Sequence, residues 1–554
     1  MAALALAACG GEPTDVTPPP PPPVALDCSG VTPVQLAVGQ HTVVDPAQSN
    51  GCVRVPAAGS AGAEYVVVAA STASNRTEFG VSGSYALRTA NPGATAAPPA
   101  ALIVAEPEPP ARAPSAQELF HDQLRQLETR IAADAGTRIT AAPPAAAVPP
   151  VVGNERTFKV CANLTCSSFV DVAATARHVG NHAAIYMDNT VPIADTLQTS
   201  DYDDLGDTFD TWLYPFDSTN FGMESDIDGN QRIVILMTDA VNNLTPDCTN
   251  GRVLGYFFGA DLQNVGNSNQ SEVFYTFVPA PATTNCNALS RQTAVNALKP
   301  TLVHELQHMI SWNQRVIMRG GPSEELWLNE ALSHFAEELA GRQVPTDECV
   351  NAGFSSCRSQ YISSNLFNAY DYLANPEATF LIAPTSSNAT LTERGAGWLF
   401  LRWVIDQFAS DSILGSTFTR QLLSTTAAGA ANITAATGAS FSTLVVEWLL
   451  ASYLDDRSDL ATPASPRLRY RSWGLRSIYE DPRNAQFFSG YPLAPPSTGG
   501  SFSANGTLRG GSGRHLLLTQ GANGAAIDVQ LVRNANGDAV DPALVPRLGI
   551  ARIR

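Results

Sequence analysis

The chain of 554 residues has a formal net charge of −18, and its two lysines are Lys159 and Lys299. Without a basic stripe to neutralise phosphates, this balance argues against a nucleic-acid-binding protein. With 44% hydrophobic and 15% charged residues, the chain can bury cores and is long enough for several domains. After the N-terminus, no apolar segment approaches the length of a membrane span.

The N-terminus has the pattern of an export and anchoring segment. A short apolar run ends in Leu6-Ala7-Ala8-Cys9, which resembles a bacterial lipobox, so that signal peptidase would cut before Cys9 and the cysteine would carry lipid. The charged n-region is missing and the run is short, so we expect a start further upstream; the alternative is an unprocessed apolar N-terminus. Six prolines from Pro18 follow, and residues 1–27 are predicted to be a signal remnant and a stiff tether.

Eight further cysteines fall into four local pairs in chain order, which is the simplest of many connectivities. An even number of locally paired cysteines indicates disulfides in an oxidising compartment. A metal role for Cys161 and Cys166 is weakly supported, because no second pair of Cys or His residues lies at zinc-ribbon spacing. The expected pairs are Cys28 with Cys52, Cys161 with Cys166, Cys248 with Cys286, and Cys349 with Cys357.

Residues 28–104 are predicted to form a β-sandwich-like module. Short alternating or apolar runs are separated here by Gly, Pro and Asn, which is typical of strands and turns. The segment has no cluster of titratable groups, so it is interpreted either as a substrate-binding or surface-binding module or as a spacer.

Residues 105–152 are predicted to contain one helix between Ala/Pro-rich linkers. The helix begins at Ser115 and ends near Ala133. Its apolar positions are Leu119, Leu124, Leu127 and Ile131. Two alternatives stay open: the helix packs on the following domain, or it masks the cleft of that domain.

The following domain, residues 153–483, begins with two runs, 182–187 and 232–237, that have the pattern of buried strands. Before the second run, Asp226, Asp228 and Asn230 place three oxygen side chains on alternate residues of a tight turn, as calcium loops do. The acid that completes such a loop is missing, because position 237 is methionine. A plain hairpin turn is the favoured interpretation, and a calcium site is the alternative.

The most informative stretch is His304-Glu305-Leu306-Gln307-His308. On a helix, residues four apart lie on one face, where His304 and His308 can bind the same metal ion. Glu305 lies near that face and can take a proton from water without being a ligand. The sequence predicts a zinc centre here, with Pro300 in the first turn of the helix.

A catalytic zinc site usually has three protein ligands, and Glu330 is the best candidate for the third. The 21 residues from 309 to 329 suffice for a helix end, a loop and a second, antiparallel helix. Glu330, His334 and Glu337 share one face of that helix. His334 is either a partner of a ligand or a competitor of Glu330, and Glu337 is a candidate to hold an imidazole in its tautomer.

These motifs, 304–310 and 326–333, resemble the gluzincin metallopeptidases and, among them, the hyicolysin-type zinc peptidases. The likeness extends over about residues 155–450 and includes 221–230, 234–239, 255–258, 268–275 and 395–403. It implies a thermolysin-like domain with His304, His308 and Glu330 as zinc ligands and Glu305 as the general base. It also implies an edge strand that pairs with the extended substrate.

The resemblance implies a Tyr or His that donates to the oxyanion, but the position where the family has Tyr is Arg394 here. Arg394 and three tyrosines are therefore the candidates. The tyrosines are Tyr361, Tyr370 and Tyr372.

Residues 484–554 return to Gly-rich alternating runs and are predicted to be a C-terminal β module. The expected architecture is thus a multidomain α+β protein, in which a thermolysin-like metallopeptidase domain is flanked by N-terminal and C-terminal β-rich modules.

The expected function is a secreted or surface-anchored zinc endopeptidase of a bacterial outer membrane or cell surface, acting on proteins or peptides. Zn²⁺ is the expected catalytic cofactor, Ca²⁺ is kept as an alternative at the loop of Asp226, and the membrane is contacted through the N-terminal lipid alone. The alternative is a surface binding or adhesion lipoprotein with a vestigial peptidase domain. An aminopeptidase is disfavoured, because no motif for gripping a free amine is recognisable.

Overall fold

The computed structural model describes residues 26–92, 115–134, 148–192, 196–342, 361–385, 389–411, 413–460 and 465–554. Within these ranges the protein is a mixed α/β structure with three sheets, which is consistent with a multidomain α+β protein. The lipidation site Cys9, the proline tether and the pair of Cys349 and Cys357 lie outside the described residues.

The strands of the described ranges, in chain order, are β1 (His41–Val44), β2 (Cys52–Val55), β3 (Ala63–Ser71), β4 (Ser82–Ala90), β5 (Glu155–Cys161), β6 (Phe169–Val179), β7 (Ala183–Asp188), β8 (Ile233–Met237), β9 (Gly255–Phe257), β10 (Val273–Thr276), β11 (Ser497–Thr498), β12 (Phe502–Arg509), β13 (Gly513–Gln520), β14 (Ile527–Val532) and β15 (Pro546–Arg552).

Strands from both ends of the chain alternate in two sheets. One sheet has the order β1-β15-β3-β13-β11 and the other β12-β4-β14-β2. Strand β12 pairs antiparallel with β4 along the whole length of β12, from Arg509 opposite Ser82 to Phe502 opposite Thr89. Apolar side chains of both sheets, such as Val67 and Leu87, are fully buried in one shared core.

This topology corrects the prediction of two separate β modules. Alternating polarity shows that a run is a half-buried strand, but it carries no information about which strand lies beside it. Because β3 lies between β15 and β13, neither the first nor the last part of the chain has a complete sheet of its own.

The middle of the chain forms a six-stranded mixed sheet of order β5-β6-β7-β8-β10-β9. Strands β7, β8 and β10 run parallel, and they include the two apolar runs that were predicted as strands. The outermost strand on one side, β9, is antiparallel to β10. On its other edge, β9 pairs with no strand of the described residues, and this edge faces the helix that carries His304 and His308, because Glu305 accepts from the Phe257 N–H.

The helices of eight residues or more in the described ranges are α1 (Ala116–Ala133), α2 (Thr199–Thr208), α3 (Tyr214–Phe221), α4 (Arg291–Trp312), α5 (Leu326–Arg342), α6 (Ser363–Ala374), α7 (Leu391–Phe408), α8 (Ser416–Leu423), α9 (Gly429–Thr437) and α10 (Phe441–Leu454).

The helix that carries the two histidines, α4, is longer than the sequence predicts. It begins at Arg291, where the Ser290 side chain accepts a hydrogen bond from the Thr293 backbone N–H. Pro300 therefore lies inside the helix and not in its first turn. The prediction failed because the Ser cap and the buried Ala294 and Leu298 extend the helix toward the N-terminus.

Three of the four expected disulfides are present, namely Cys28–Cys52, Cys161–Cys166 and Cys248–Cys286. They confirm the local pairing for the described cysteines and fit an extracytoplasmic protein. Across the described ranges, no single helix has the length and apolar character to cross a membrane, although α9 and α10, bent by 86°, pass that test as a pair.

Candidate metal centre

The centre lies between α4 and α5. His304 and His308 project from one face of α4 because they are one turn apart, and Glu330 projects toward them from the first turns of α5. All three side chains are buried, and Glu330 has no exposed surface. The structure therefore brings together the three residues that the sequence predicts as ligands.

The distances between their polar atoms match a tetrahedral site. The two Nε2 atoms of His304 and His308 are 3.2 Å apart. Glu330 Oε2 lies 3.5 Å from His304 Nε2, and Glu330 Oε1 lies 3.6 Å from His308 Nε2. Bonds of about 2.0–2.1 Å to a zinc ion would place tetrahedral ligand atoms roughly 3.3–3.4 Å apart.

The hydrogen bonds behind the imidazoles show that this arrangement fits a cation. His304 Nδ1 lies 2.6 Å from Glu337 Oε1, and His308 Nδ1 lies 3.1 Å from Asn329 Oδ1. Both partners are acceptors, so each Nδ1 carries the proton and each Nε2 keeps a lone pair. Two lone pairs that converge with a buried carboxylate require a positive charge between them, and a metal ion can supply it.

Glu337 holds two histidines. Besides His304, it contacts His334, whose Nδ1 lies 3.2 Å from Glu337 Oε2. Burial alone would raise the pKa of Glu337, but the two imidazoles outweigh it and lower the pKa to about 2. His334, His304 and Glu337 form a second group with metal-binding geometry, so His334 lies behind the ligand His304 and does not take the place of Glu330.

Arg394 on α7 approaches the ligand carboxylate directly. Its Nη1 lies 2.7 Å from Glu330 Oε2, and both side chains are buried. Burial opposes ionisation of Glu330, but Arg394 and the histidines outweigh it and hold the pKa of that carboxyl well below its usual range. The Nη2 atom of Arg394 is buried and has no hydrogen-bond partner within the described residues.

The three tyrosine candidates contact residues other than the metal-binding side chains. The Tyr370 hydroxyl lies 2.8 Å from Ser489 Oγ, and the Tyr370 ring packs on Phe488. The ring of Tyr372 stacks on Trp448, and that of Tyr361 packs edge-on against Trp212. Tyr370 is thereby corrected as an oxyanion candidate, because its hydroxyl is committed to the loop around Ser489.

Glu305 lies between the ligands and the sheet edge. Its Oε2 accepts a hydrogen bond of 2.9 Å from the Phe257 backbone N–H in β9, and its Oε1 has no hydrogen-bond partner within the described part of the chain. Burial raises the pKa of Glu305 to about 7, against the opposing effect of nearby cations. A buried carboxylate with one free oxygen is suited to proton transfer.

Sequence reasoning missed one residue of the centre, His121 on α1. One ring nitrogen of His121, the ligand atoms of His304 and His308 and a Glu330 oxygen all lie within 4.8 Å of one another. No spacing rule could link His121 to residues 183 positions away in the chain. A local signal was the cluster of charged side chains on a helix that also carries large apolar residues, such as Phe120 and Leu124.

Comparison with known proteins gives an independent result. A 136-residue segment is 31% identical to the neutral metalloprotease ShpI of Staphylococcus hyicus and covers 24% of this chain. This supports a relationship to metalloproteases. The chain spans about 30% of the length of that relative, and no protein-family model matches the chain.

In the structure, the side chains grouped at the possible calcium site differ from the set that the sequence predicts. Asp226 and Asp228 form a group with Glu272, the residue before β10, and the carboxylate oxygens of the three lie close enough together to hold a cation. Glu272 is buried, and its Oε2 has no hydrogen-bond partner within the described ranges. Burial raises its pKa to about 7.

Both polar atoms of the Asn230 side chain have partners in the turn, because its amide nitrogen donates to Asp228 Oδ2 at 2.7 Å and its Oδ1 accepts from the Arg232 N–H at 2.6 Å. The third carboxylate near Asp226 and Asp228 thus comes from Glu272 and not from position 237. Local spacing could not show this, since 35 residues separate the two positions.

Proposed function

We propose that this protein is a zinc-dependent endopeptidase with a thermolysin-like catalytic domain, exported from the cytoplasm. The observation that carries the proposal is the convergence of two imidazole lone pairs and the Glu330 carboxylate beside the partly unpaired Glu305. The metalloprotease relative and the three disulfides support it. Protein or peptide substrates follow from the proposed activity, and a lipid on Cys9 remains part of the proposal.

The proposed division of labour follows from the geometry. A zinc ion bound by His304, His308 and Glu330 supplies Lewis-acid chemistry that activates water and polarises the peptide carbonyl. Glu305 accepts the proton of the attacking water and delivers it to the leaving amine. Glu337 and Asn329 are positioning residues, because they fix the tautomers of the two histidines.

The sheet edge would align the substrate. Strand β9 has its partner β10 on one side, and its other edge runs past Glu305. An extended peptide that adds to this edge would lie with its backbone parallel to the ligand helix, as in β-augmentation. Glu305 already contacts the Phe257 N–H of that edge, so a bound carbonyl would come within reach of the general base.

Arg394 is the proposed donor to the oxyanion. Its Nη1 is fixed by Glu330, while its buried Nη2 is free of hydrogen bonds to the described residues. We expect Arg394→Met to lower kcat by about 10²- to 10³-fold, as the loss of an oxyanion donor does in other hydrolases. The zinc content must be measured in parallel, because Arg394 also contacts a ligand.

Metal analysis and casein cleavage test the function. We expect one zinc per chain in the wild type and in Glu305→Gln, and cleavage of fluorescein-labelled casein by the wild type alone in long incubations at micromolar protein. Chelation with phenanthroline should abolish cleavage, and added zinc should restore it. Zinc bound by both proteins with no cleavage by either would favour the surface binding protein instead. The comparison is repeated after displacement of α1, because one of the two interpretations of that helix is that it masks the cleft.

A further inference from the structure

Helix α1 presents one polar face to the edge of the six-stranded sheet. Gln117, His121, Arg125 and Glu128 lie at steps of four, four and three, and such steps align side chains along one face of a helix. His121, Arg125 and Glu128 are buried, with at most 7% of each residue exposed. Buried polar groups are unfavourable unless they find partners, so their contacts identify what the helix is built to bind.

Their partners are peptide groups in and next to β9, on the edge that pairs with no other strand of the described residues. Gln117 Oε1 accepts from the Leu254 N–H at 2.8 Å, and Gln117 Nε2 donates to the Gly255 carbonyl at 3.1 Å. Arg125 Nη2 donates to the Phe257 carbonyl at 2.7 Å. These are the groups that an extended peptide would use to pair with the sheet edge.

The same helix also reaches the opposite wall of the cleft. Glu118 Oε1 accepts from the Leu391 N–H, at the start of α7, and Gln126 donates to the Thr385 carbonyl at 3.3 Å. Phe120 is fully buried and packs edge-on against Tyr256 of β9, at 4.9 Å between ring centroids. Leu119, expected in the core, is instead partly exposed, because the buried face is the one that carries Phe120.

His121 is the residue of this face that enters the metal centre. Its Nε2 lies 3.1 Å from the Gly255 carbonyl oxygen and 3.4 Å from Glu305 Oε1. Gln117 Nε2 contacts the same ring nitrogen, so His121 Nε2 is occupied by neighbours on the protein. Nδ1 is buried and has no hydrogen-bond partner in the described part of the chain, so it is the ring nitrogen that is available to bind a metal.

We propose that His121 is a fourth protein ligand of the metal and that α1 is a built-in inhibitor that fills the substrate cleft. The inference rests on the proposed function, because it concerns the same metal centre. Three histidines and one glutamate complete a tetrahedral shell, and a site closed in this way has no position for water. The intact chain is therefore a latent form, and removal of α1 from the cleft converts it to the active form.

The fold restricts how the helix can leave. Residues 41–90, which precede α1, supply four strands that pair with strands from the C-terminal end. The N-terminal part cannot dissociate as a unit without breaking both sheets. Activation must therefore displace α1 alone, or cut the chain between the sandwich strands and the catalytic domain.

The test uses the full-length protein with cobalt(II) in place of zinc, because the visible spectrum of cobalt reports its ligands without any turnover. Acetohydroxamate, a small chelator, is titrated into the wild type, His121→Ala and the control Arg130→Ala, whose side chain is exposed on the same helix. We expect His121→Ala to change the spectrum and to bind acetohydroxamate at least about a hundredfold more tightly than the other two, which corresponds to an open fraction of about 1% or less in the wild type.

Equal acetohydroxamate affinity in the wild type and in His121→Ala would overturn the proposal. If His121→Ala fails to fold, Arg125→Ala combined with Glu128→Ala gives a second test. This double variant keeps His121 but removes helix contacts to the Phe257 carbonyl and to the Gly259 N–H. It should bind acetohydroxamate more tightly than the wild type, and an unchanged affinity would again contradict an inhibitory helix.

Casein cleavage separates this proposal from the proposed function. We expect His121→Ala to cleave casein at least tenfold faster than the wild type, and His121→Ala combined with Glu305→Gln to be inactive. If His121→Ala opens the cobalt site but cleaves nothing, the fourth ligand stands and the peptidase function fails. If the wild type cleaves as fast as His121→Ala and their spectra agree, the peptidase stands and the inhibitor fails.

Discussion

Replacement of Glu337 by glutamine tests whether the network behind the histidines sets the metal affinity. Glu337 is buried and accepts from His304 Nδ1 at 2.6 Å and from His334 Nδ1 at 3.2 Å. Glutamine keeps the shape and one acceptor oxygen but removes the charge. A hydrogen bond to a charged group contributes about 1.5–3 kcal/mol, and each 1.4 kcal/mol corresponds to a tenfold change in affinity.

We therefore expect Glu337→Gln to weaken zinc binding by about 10- to 100-fold, which agrees with the usual effect of such partners on metal sites. The zinc Kd is measured by competition with a chromophoric chelator at pH 7.5. Glu480→Gln is the matched control, because it removes one negative charge from a half-exposed side chain paired with Arg476. A Kd within twofold of the wild-type value in Glu337→Gln would refute the role of this network.

Three further predictions concern other parts of the molecule. Calcium at about 100 times its Kd should stabilise the wild type by about 2.7 kcal/mol and leave the Tm of Glu272→Gln unchanged in thermal scans; an equal rise in both would exclude Glu272 as a ligand. Burial raises the pKa of Asp455 from 3.8 to about 7. Between these pH values the carboxyl is protonated in the folded state and ionised in the unfolded state, so Asp455 destabilises the folded state increasingly as the pH rises. Urea unfolding at pH 5 and pH 8 should show a loss about 2 kcal/mol larger in the wild type than in Asp455→Asn, whereas parallel losses would contradict a buried, protonated Asp455. Truncation after residue 496 removes five strands of the sandwich and should abolish soluble, cooperatively unfolding protein, whereas a stable truncated chain would show that residues 26–92 fold without them.

Some features of the fold followed from local patterns because their physical causes are local. The apolar runs at 182–187 and 232–237 became buried parallel strands, and the helix predicted from Ser115 to about Ala133 starts at a Ser115 capping box and ends at Ala133. The cysteine pairs formed between near neighbours in sequence, as expected when short loops are closed.

Local patterns could not predict the pairing of the N-terminal and C-terminal strands in two sheets, nor the group formed by Asp226, Asp228 and Glu272. Both depend on which distant segments become neighbours, and alternating polarity or an Asp-rich turn does not encode that choice. Glu272 completes the acidic group only because β10 lies beside β8 in the sheet.

The sequence by itself determined which residues can bind a metal and transfer a proton, because helical periodicity places His304, Glu305 and His308 on adjoining faces whatever surrounds them. Only the tertiary structure decided that the cleft is filled by α1 and that His121 joins the centre. The physical reason is that peptide groups at a sheet edge can bond to any side chain with suitable donors and acceptors, and a coordination position on a metal can be filled by any side chain with a suitable lone pair. Which segment supplies it depends on the path of the chain in three dimensions.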